Sequence, residues 1–531
     1  MRKEALLFLL WLFAGTTIVL AQQQSHKVTF KVAVADEIES YFKPTGRLFI
    51  FMDAWPGSEP RTCWPGSSSV VSFAKNLNNF DPESGLRIDN NDGWINWQST
   101  AFLTYEDEEM GLKVIKDWTF DNVPEGQYRI QLLWDQENTE SSINAPNNIY
   151  SKVLEIMINQ SLDVQIVLSE IIGQMEIVQH DLVREINYKS DTLSEWWGEQ
   201  VIVNASVLIP GRFTENREGA YPICYCIAGY GGRYTRINSL INDKDFMDWW
   251  SSDKAPQMMV VFLDGEGPFG DSYQMDSENN GPFGYNLIHE LIPFIESKYR
   301  GGNSPETRFT YGCSTGGWVS LALQLFYPDV FNGCFSYSPD PVDFQHLLLT
   351  NIYKDKNAFI NEYGFLQPVI RTASGKPTVS MKDWIQFENV IGSSNTYVNS
   401  GQQLGAYSAV FGPRGENGLP VPLVDPINGK IDQGVAESWK KYDLKLYCEK
   451  NWKDLGPKLQ GKIYMWMGDM DSFYLNFATR SFDQFLKSTE KPRSDAIIEF
   501  SPMERHCSQF SHRQVLEQVA EKLAVVITEK R

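Results

Sequence analysis

From Val28 to about Gly173 the chain runs in short apolar–polar alternations broken by Gly, Pro, Asn and Asp. Val28, Phe30, Val32 and Val34 fall on one face of a strand over 28–35, and 47–52 is a compact apolar strand. After the turn Asn122-Val123-Pro124-Glu125-Gly126, residues 128–132 and 162–168 alternate again. Period-two runs at this spacing, with no convincing amphipathic helix among them, predict an all-β sandwich over 22–173. Past about Gln174 the rhythm changes. Strand patterns over 200–208, 222–228, 258–263, 308–311, 333–337, 463–467 and 496–500 alternate with helical ones over 286–299, 318–326 and 514–527. In the first of these helices Leu287, Leu291, Ile295 and Tyr299 recur at helical spacing. Such alternation predicts a parallel sheet covered by helices, so 174–531 is read as a second, α/β domain. The stretch 345–459 interrupts it with Gly, Pro, Ser and Asn throughout and is too long for a plain loop. It reads as an insertion folded over the sheet's carboxyl edge, where a substrate site would lie.

Composition narrows the picture. A chain of 531 residues with 42% hydrophobic and 21% charged residues is a folded protein of a few domains. A net charge of −20, with no Lys/Arg run to offset it locally, argues against nucleic acid as a partner. Residues 1–21 form a separate object: Arg2 and Lys3, an apolar run from Ala5 to Phe13, then Val19-Leu20-Ala21 at the cleavage positions. This reads as a secretory signal peptide cut before Gln22, the alternative being an uncleaved anchor. No later segment is apolar enough to span a membrane, so the expectation is a secreted or periplasmic protein. Seven cysteines are too few for a disulfide-built scaffold of this length, though export permits individual bridges. Cys224 and Cys226 alternate within an apolar strand and read as core rather than as metal ligands. The 16 Trp, 23 Tyr and 31 Phe hint at sugar or aromatic ligands, but a single ring is more often core.

The candidate chemistry begins where the strand 308–311 runs into Gly312-Cys313-Ser314-Thr315-Gly316-Gly317 and the following helix. Gly-x-Ser-x-Gly between strand and helix is the context a nucleophile elbow requires: the serine sits on a sharp turn, and only glycines fit beside the crossing backbones. A serine hydroxyl needs a base, usually His held by a carboxylate, here expected in the chain order Ser, acid, His. Of the three histidines beyond Ser314, His346 follows too soon, and His512 at the terminal helix is expected to be solvated or capping. His506, in the loop after the last strand, is the expected base. The acid should follow 463–467, where Gly468-Asp469-Met470-Asp471 offers two aspartates. Spacing favours Asp471 as the triad acid, and Asp469 reads as a turn former. Backbone N–H groups of Thr315 and of Tyr230, with Gly231 next, would hold an oxyanion, since Gly229-Tyr230-Gly231-Gly232 lets backbone approach the substrate. No cofactor and no metal are expected.

At this point the chain resembles the esterase-D-like esterases of the α/β-hydrolase superfamily, a group with enterochelin esterases, S-formylglutathione hydrolases, mycolyltransferases and feruloyl or acetyl-xylan esterases. The matching stretches are Val207-Leu208-Ile209-Pro210, Tyr221-Pro222 before the glycine loop, Asp264-Gly265, Glu290-Leu291-Ile292-Pro293 and the elbow at Ser314. The resemblance implies an α/β-hydrolase with a cap-like insertion. Cys313 before the serine and Cys507 after the histidine depart from most of that group. They resemble the tannase and fungal feruloyl esterase family, in which two such cysteines form a disulfide tying serine to histidine. That likeness implies a Cys313–Cys507 bridge, the alternative being two small buried thiols.

These features add up to the expectation of an exported serine esterase acting on a small-molecule or polysaccharide-linked ester, feruloyl or acetyl first. The competing readings are a siderophore-ester hydrolase, an acyltransferase, and a non-catalytic glycan-binding protein on a hydrolase scaffold. Asp340, Asp343, Trp384, Phe387, Tyr397 and Trp439 are the candidates for lining the substrate pocket.

Overall fold

A computed structural model describes residues 24–53, 57, 59–64, 70–98, 119–137, 140–216 and 219–529. The expected signal peptide at 1–21 lies outside the described residues. The fold is mixed α/β, with a β-rich amino-terminal region. Nine strands of that region join in one hydrogen-bonded network, so they do not divide into two separate sheets. Its strands Val28–Val34 and Leu162–Ile171, from the start and end of the region, pair in parallel, which the sequence pattern did not predict. Alternate residues such as Phe30, Ile50, Leu132, Trp134 and Ile166 fill one apolar core. The opposite face carries Phe49, Phe51, Trp97 and Leu133.

The second sheet has eight strands: β1 (Val183–Ser190), β2 (Val201–Leu208), β3 (Ile223–Ile227), β4 (Met259–Leu263), β5 (Arg308–Cys313), β6 (Cys334–Tyr337), β7 (Ile463–Gly468) and β8 (Ile497–Ser501). Their order is β1-β2-β4-β3-β5-β6-β7-β8. The first two pairings are antiparallel, and every pairing from β4 onward is parallel. β3 and β4 are buried along their whole length, as parallel strands covered on both faces must be. Ile223, Tyr225 and Ile227 face one core and Cys224 and Cys226 the other, which accounts for the Cys-Tyr-Cys alternation. Helices Thr315–Phe326 and Ile292–Tyr299 cover the first face, and His512–Glu529 with Lys244–Trp250 covers the second. β1 escaped the sequence pattern because this edge strand, Val-Arg-Glu-Ile-Asn-Tyr-Lys-Ser, carries few apolar residues.

The insertion is more ordered than its composition suggested. It contains the hairpin Pro368–Arg371/Pro377–Ser380 and the helices Met381–Ile391, Gln403–Phe411, Gln433–Trp439 and Leu444–Leu459. The first helix opens with a reciprocal capping box between Ser380 and Asp383. It then serves two cores: Met381, Trp384 and Ile385 pack toward the eight-stranded sheet, while Phe387, Val390 and Ile391 pack on the amino-terminal sheet. Arg47 of that sheet donates to the Val390 carbonyl at 2.8 Å, satisfying a carbonyl at the helix end. The insertion therefore joins the two sheets, a role the sequence did not announce.

Candidate active site

Ser314 lies one residue past β5, at φ 61° and ψ −126°, a conformation a non-glycine residue adopts only when its surroundings impose it. A β-carbon at Gly312 or Gly316 would press into the Ile227 carbonyl, so both positions must be glycine for β3 and the helix to cross this closely. The turn aims the Ser314 side chain into a cavity of about 650 Å³. Thr315 starts the helix, and its N–H is one of the first-turn donors that no helical carbonyl can take. Tyr230 borders the same cavity from the loop after β3, its hydroxyl donating to the Gly401 carbonyl. Among the described residues, neither the Thr315 nor the Tyr230 amide donates to another protein group.

His506 follows β8, and its Nδ1 lies 2.6 Å from Asp471 Oδ2. A carboxylate can only accept, so Nδ1 carries the proton and Nε2 keeps its lone pair. Asp471 is fully buried, and its other oxygen accepts the N–H groups of Phe473 and Leu475 at 2.9 and 3.2 Å. Asp469 is turned elsewhere, gripped by Arg480 through Nε at 3.0 Å and Nη2 at 2.6 Å. Burial disfavours the imidazolium of His506, but the charge and hydrogen bond of Asp471, joined by the charge of Asp340, outweigh it and raise the histidine above its ordinary range. Phe473 stands edge-on to the ring at 4.9 Å.

Cys313 and Cys507 are joined by a disulfide with their Cα atoms 6.0 Å apart, so the neighbours of Ser314 and His506 are covalently linked. The Cys507 N–H donates to Ser338 Oγ at 3.2 Å, tying the histidine loop to the end of β6 as well. The Ser314 hydroxyl itself donates to Asp340 Oδ1 at 3.4 Å, and among the described residues no hydrogen bond joins it to His506. Serine–histidine bonds of this kind often tighten only around a substrate. Among the described residues, no group of three or more His, Cys, Asp or Glu side chains is arranged to hold a metal ion.

The other candidates separate. Trp384 lines the cavity, but Phe387 packs on Trp97, Tyr397 bonds the Val424 carbonyl, and Trp439 packs on Phe344 and Phe411. Asp343 caps a turn and bonds Ser481, away from Ser314. The expectation of a solvated His512 is corrected: its Nδ1 meets the Tyr311 hydroxyl at 2.9 Å, and burial pushes it down to about 3, so it stays neutral. Three contributors went unrecognised in the sequence. Arg371, from the insertion hairpin, donates to the Asp469 and Asp471 carbonyls at 3.1 and 2.9 Å and so pins the turn that carries Asp471. Half-exposed Trp64 reaches the cavity from the β-rich region. Buried Glu388 accepts from Trp384 Nε1 and Ser400 Oγ, both at 2.8 Å, and from the Leu404 and Gly405 amides, both at 2.9 Å, fixing the wall that Trp384 forms. Only the Ser380–Asp383 capping signal could have flagged the helix that carries Trp384 and Glu388.

Residues 202–512 match the profile of the family described as "Putative esterase". Among solved structures, a ferulic acid esterase shares 16% identity and a TM-score of 0.41, over 64% of this chain and 98% of that one. An S-formylglutathione hydrolase from Agrobacterium tumefaciens shares 14% identity and a TM-score of 0.39, over 66% and 99%. A ferulic acid esterase from Anaeromyces mucronatus shares 13% identity and a TM-score of 0.31, over 65% and 90%.

Proposed function

The chain belongs to this esterase family, and on that premise we propose that it is an exported serine esterase of α/β-hydrolase fold that cleaves a carboxylic ester with a bulky, aromatic acyl group. The observation that carries the reading is the strained Ser314 on the elbow beside a His506–Asp471 pair at 2.6 Å. The strand order around it supports the fold assignment. Ser314 Oγ attacks the ester carbonyl while His506 Nε2 takes its proton, and Asp471 holds the ring in the required tautomer and stabilises the imidazolium. The Thr315 and Tyr230 amides receive the oxyanion. His506 then returns its proton to the leaving alcohol, and a water activated by His506 releases the acid. The signal-like 1–21 segment and a disulfide, which persists in oxidising compartments, both support export.

Cavity size and lining favour an aromatic acyl group, such as feruloyl on polysaccharide, over acetyl. About 650 Å³ falls within the roughly 300–1,000 Å³ of sites that enclose drug-sized ligands. Trp64, Leu348, Trp384, Tyr407, Phe473 and Leu475 line it, and an acetyl group would leave most of that surface uncovered. A panel of feruloylated, acetylated and siderophore esters tests the reading, with a sugar acceptor added to detect transfer. The wild type should prefer the feruloyl ester, and Ser314→Ala should abolish cleavage of every member. Retained activity in Ser314→Ala would end the mechanism, and a preference for acetyl would end the substrate assignment.

A further inference from the structure

The hydroxyl of the nucleophile is held by an acid outside the triad. Besides the Ser314 Oγ–Asp340 Oδ1 bond, the Asp340 N–H donates to the Ser314 carbonyl at 3.3 Å, so the two residues are joined through side chain and backbone. Asp340 follows β6 in Pro339-Asp340-Pro341, where the flanking prolines fix φ on both sides. Its Oδ2 collects the Tyr273 hydroxyl at 2.6 Å, the Thr315 hydroxyl at 2.9 Å and Gln403 Nε2 at 3.3 Å. Gln403 also donates to Tyr273 at 2.6 Å. Only 4% of Asp340 is exposed, yet it borders the catalytic cavity.

This arrangement gathers hydrogen-bond donors, which favour the charged form, around an acid in a dry place. Burial prevails and raises Asp340 above the ordinary carboxylate range, while the donors from Tyr273 and Thr315 and the charge of His506 act the other way and favour the carboxylate. The titratable groups facing Asp340 are Tyr273, Tyr407, His506 and Asp271, and burial pushes Asp271 up to about 8, which keeps it mostly neutral near pH 7. The charged groups facing His506 are Asp471 at Nδ1 and Asp340. A purely structural acid would not need to touch the reacting oxygen, and this one does.

Resting on the esterase reading, we propose that Asp340 is a second catalytic carboxylate: it holds the Ser314 hydroxyl in the substrate-free site, releases it to His506 Nε2 when substrate binds, and faces the imidazolium that forms on His506 from the nucleophile's side. The hydroxyl first turns from Asp340 to His506 Nε2; as Oγ bonds the carbonyl carbon its proton passes to Nε2, and the carbonyl π pair moves to the oxygen held by the amides. Asp340 gains and loses no proton in this step. It supplies preorganised charge where positive charge develops.

The test is Asp340→Asn, with kcat, KM and the pH profile measured on an aryl ester, and folding checked by thermal melting. The expected result is a kcat lower by about 10- to 100-fold with KM nearly unchanged. The acidic limb of kcat/KM should also move to lower pH, because one of the two charges raising His506 is gone. Wild-type kcat, or a lower kcat with an unmoved limb, overturns the proposal. If Asp340→Asn does not fold, Asp340→Ser is read in the same way. A wild type that cleaves no ester and takes no fluorophosphonate label refutes the esterase reading itself. A wild type that is active, a Ser314→Ala that is not, and an Asp340→Asn indistinguishable from wild type refute only this inference.

Discussion

Ser314, Asp340, Asp471 and His506 stand a few residues past the carboxyl ends of β5, β6, β7 and β8, whereas Trp384, Gln403 and Tyr407 reach the same cavity from helices of the insertion. The first set is aimed by backbone: a strained turn at Ser314, two amides on Asp471, a disulfide and the Ser338 hydroxyl on the histidine loop. The second set is aimed by packing, through a helix shared between two cores and through buried Glu388. Parallel strand ends fix the direction of a side chain, while packed helices set the shape of a wall. Damage to the first region should therefore fall on kcat, and damage to the second on KM and on the choice of acyl group.

The largest effect expected within the sheet is at the acid. Asp471→Asn should lower kcat about 10⁴-fold by favouring the wrong histidine tautomer. Asp469→Asn, which loses only the Arg480 pair, should stay within about threefold of wild type, as exposed ion pairs contribute little. Initial rates on one aryl ester decide, and equal losses would erase the distinction between the two aspartates. Next comes the disulfide. Cys507→Ser, or reduction, should cost about 2–4 kcal/mol of stability, visible as a lower melting temperature, and should reduce kcat as the histidine loop loosens. On the insertion side, Trp384→Ala should raise KM for a feruloyl ester about tenfold and leave an acetyl ester nearly unaffected. A matching fall in kcat on both substrates would mean that the wall and the reactive groups are not separable.

The smallest effect is in pH. His506 must be neutral to accept the serine proton, and Asp471 with Asp340 raises it above its ordinary 6.5 despite burial. Activity should therefore be full at alkaline pH and lost as pH falls through a midpoint above 6.5. A kcat/KM profile with its acidic midpoint below that value would contradict the placement of both carboxylates.

The same division governs what was legible in the sequence. β3 to β7 were legible because buried parallel strands are short, apolar and bounded by turns, and the sharp turn at Ser314 stood out because Gly312 and Gly316 admit no other residue. His506 and Asp471 were singled out by their place after predicted strands, and the structure sets them 2.6 Å apart. The insertion was not legible. Phe387 and Trp439 looked as eligible for the pocket as Trp384, because which face of a helix meets a cavity depends on the partners it packs against, here the Phe49/Phe51 face of the other sheet. Arg371 gave no local signal either, since it acts through carbonyls about 100 residues away. The contact of Asp340 with Ser314 depends on β6 lying beside β5, which the order of strands along the chain does not reveal.

The central claim is that Ser314 is an activated nucleophile, and the most direct measurement is mass spectrometry of the intact, oxidised protein after reaction with a fluorophosphonate. The account predicts one adduct per chain, mapped to Ser314, and none in Ser314→Ala. No adduct on the wild type, or an equal adduct on Ser314→Ala, would contradict it.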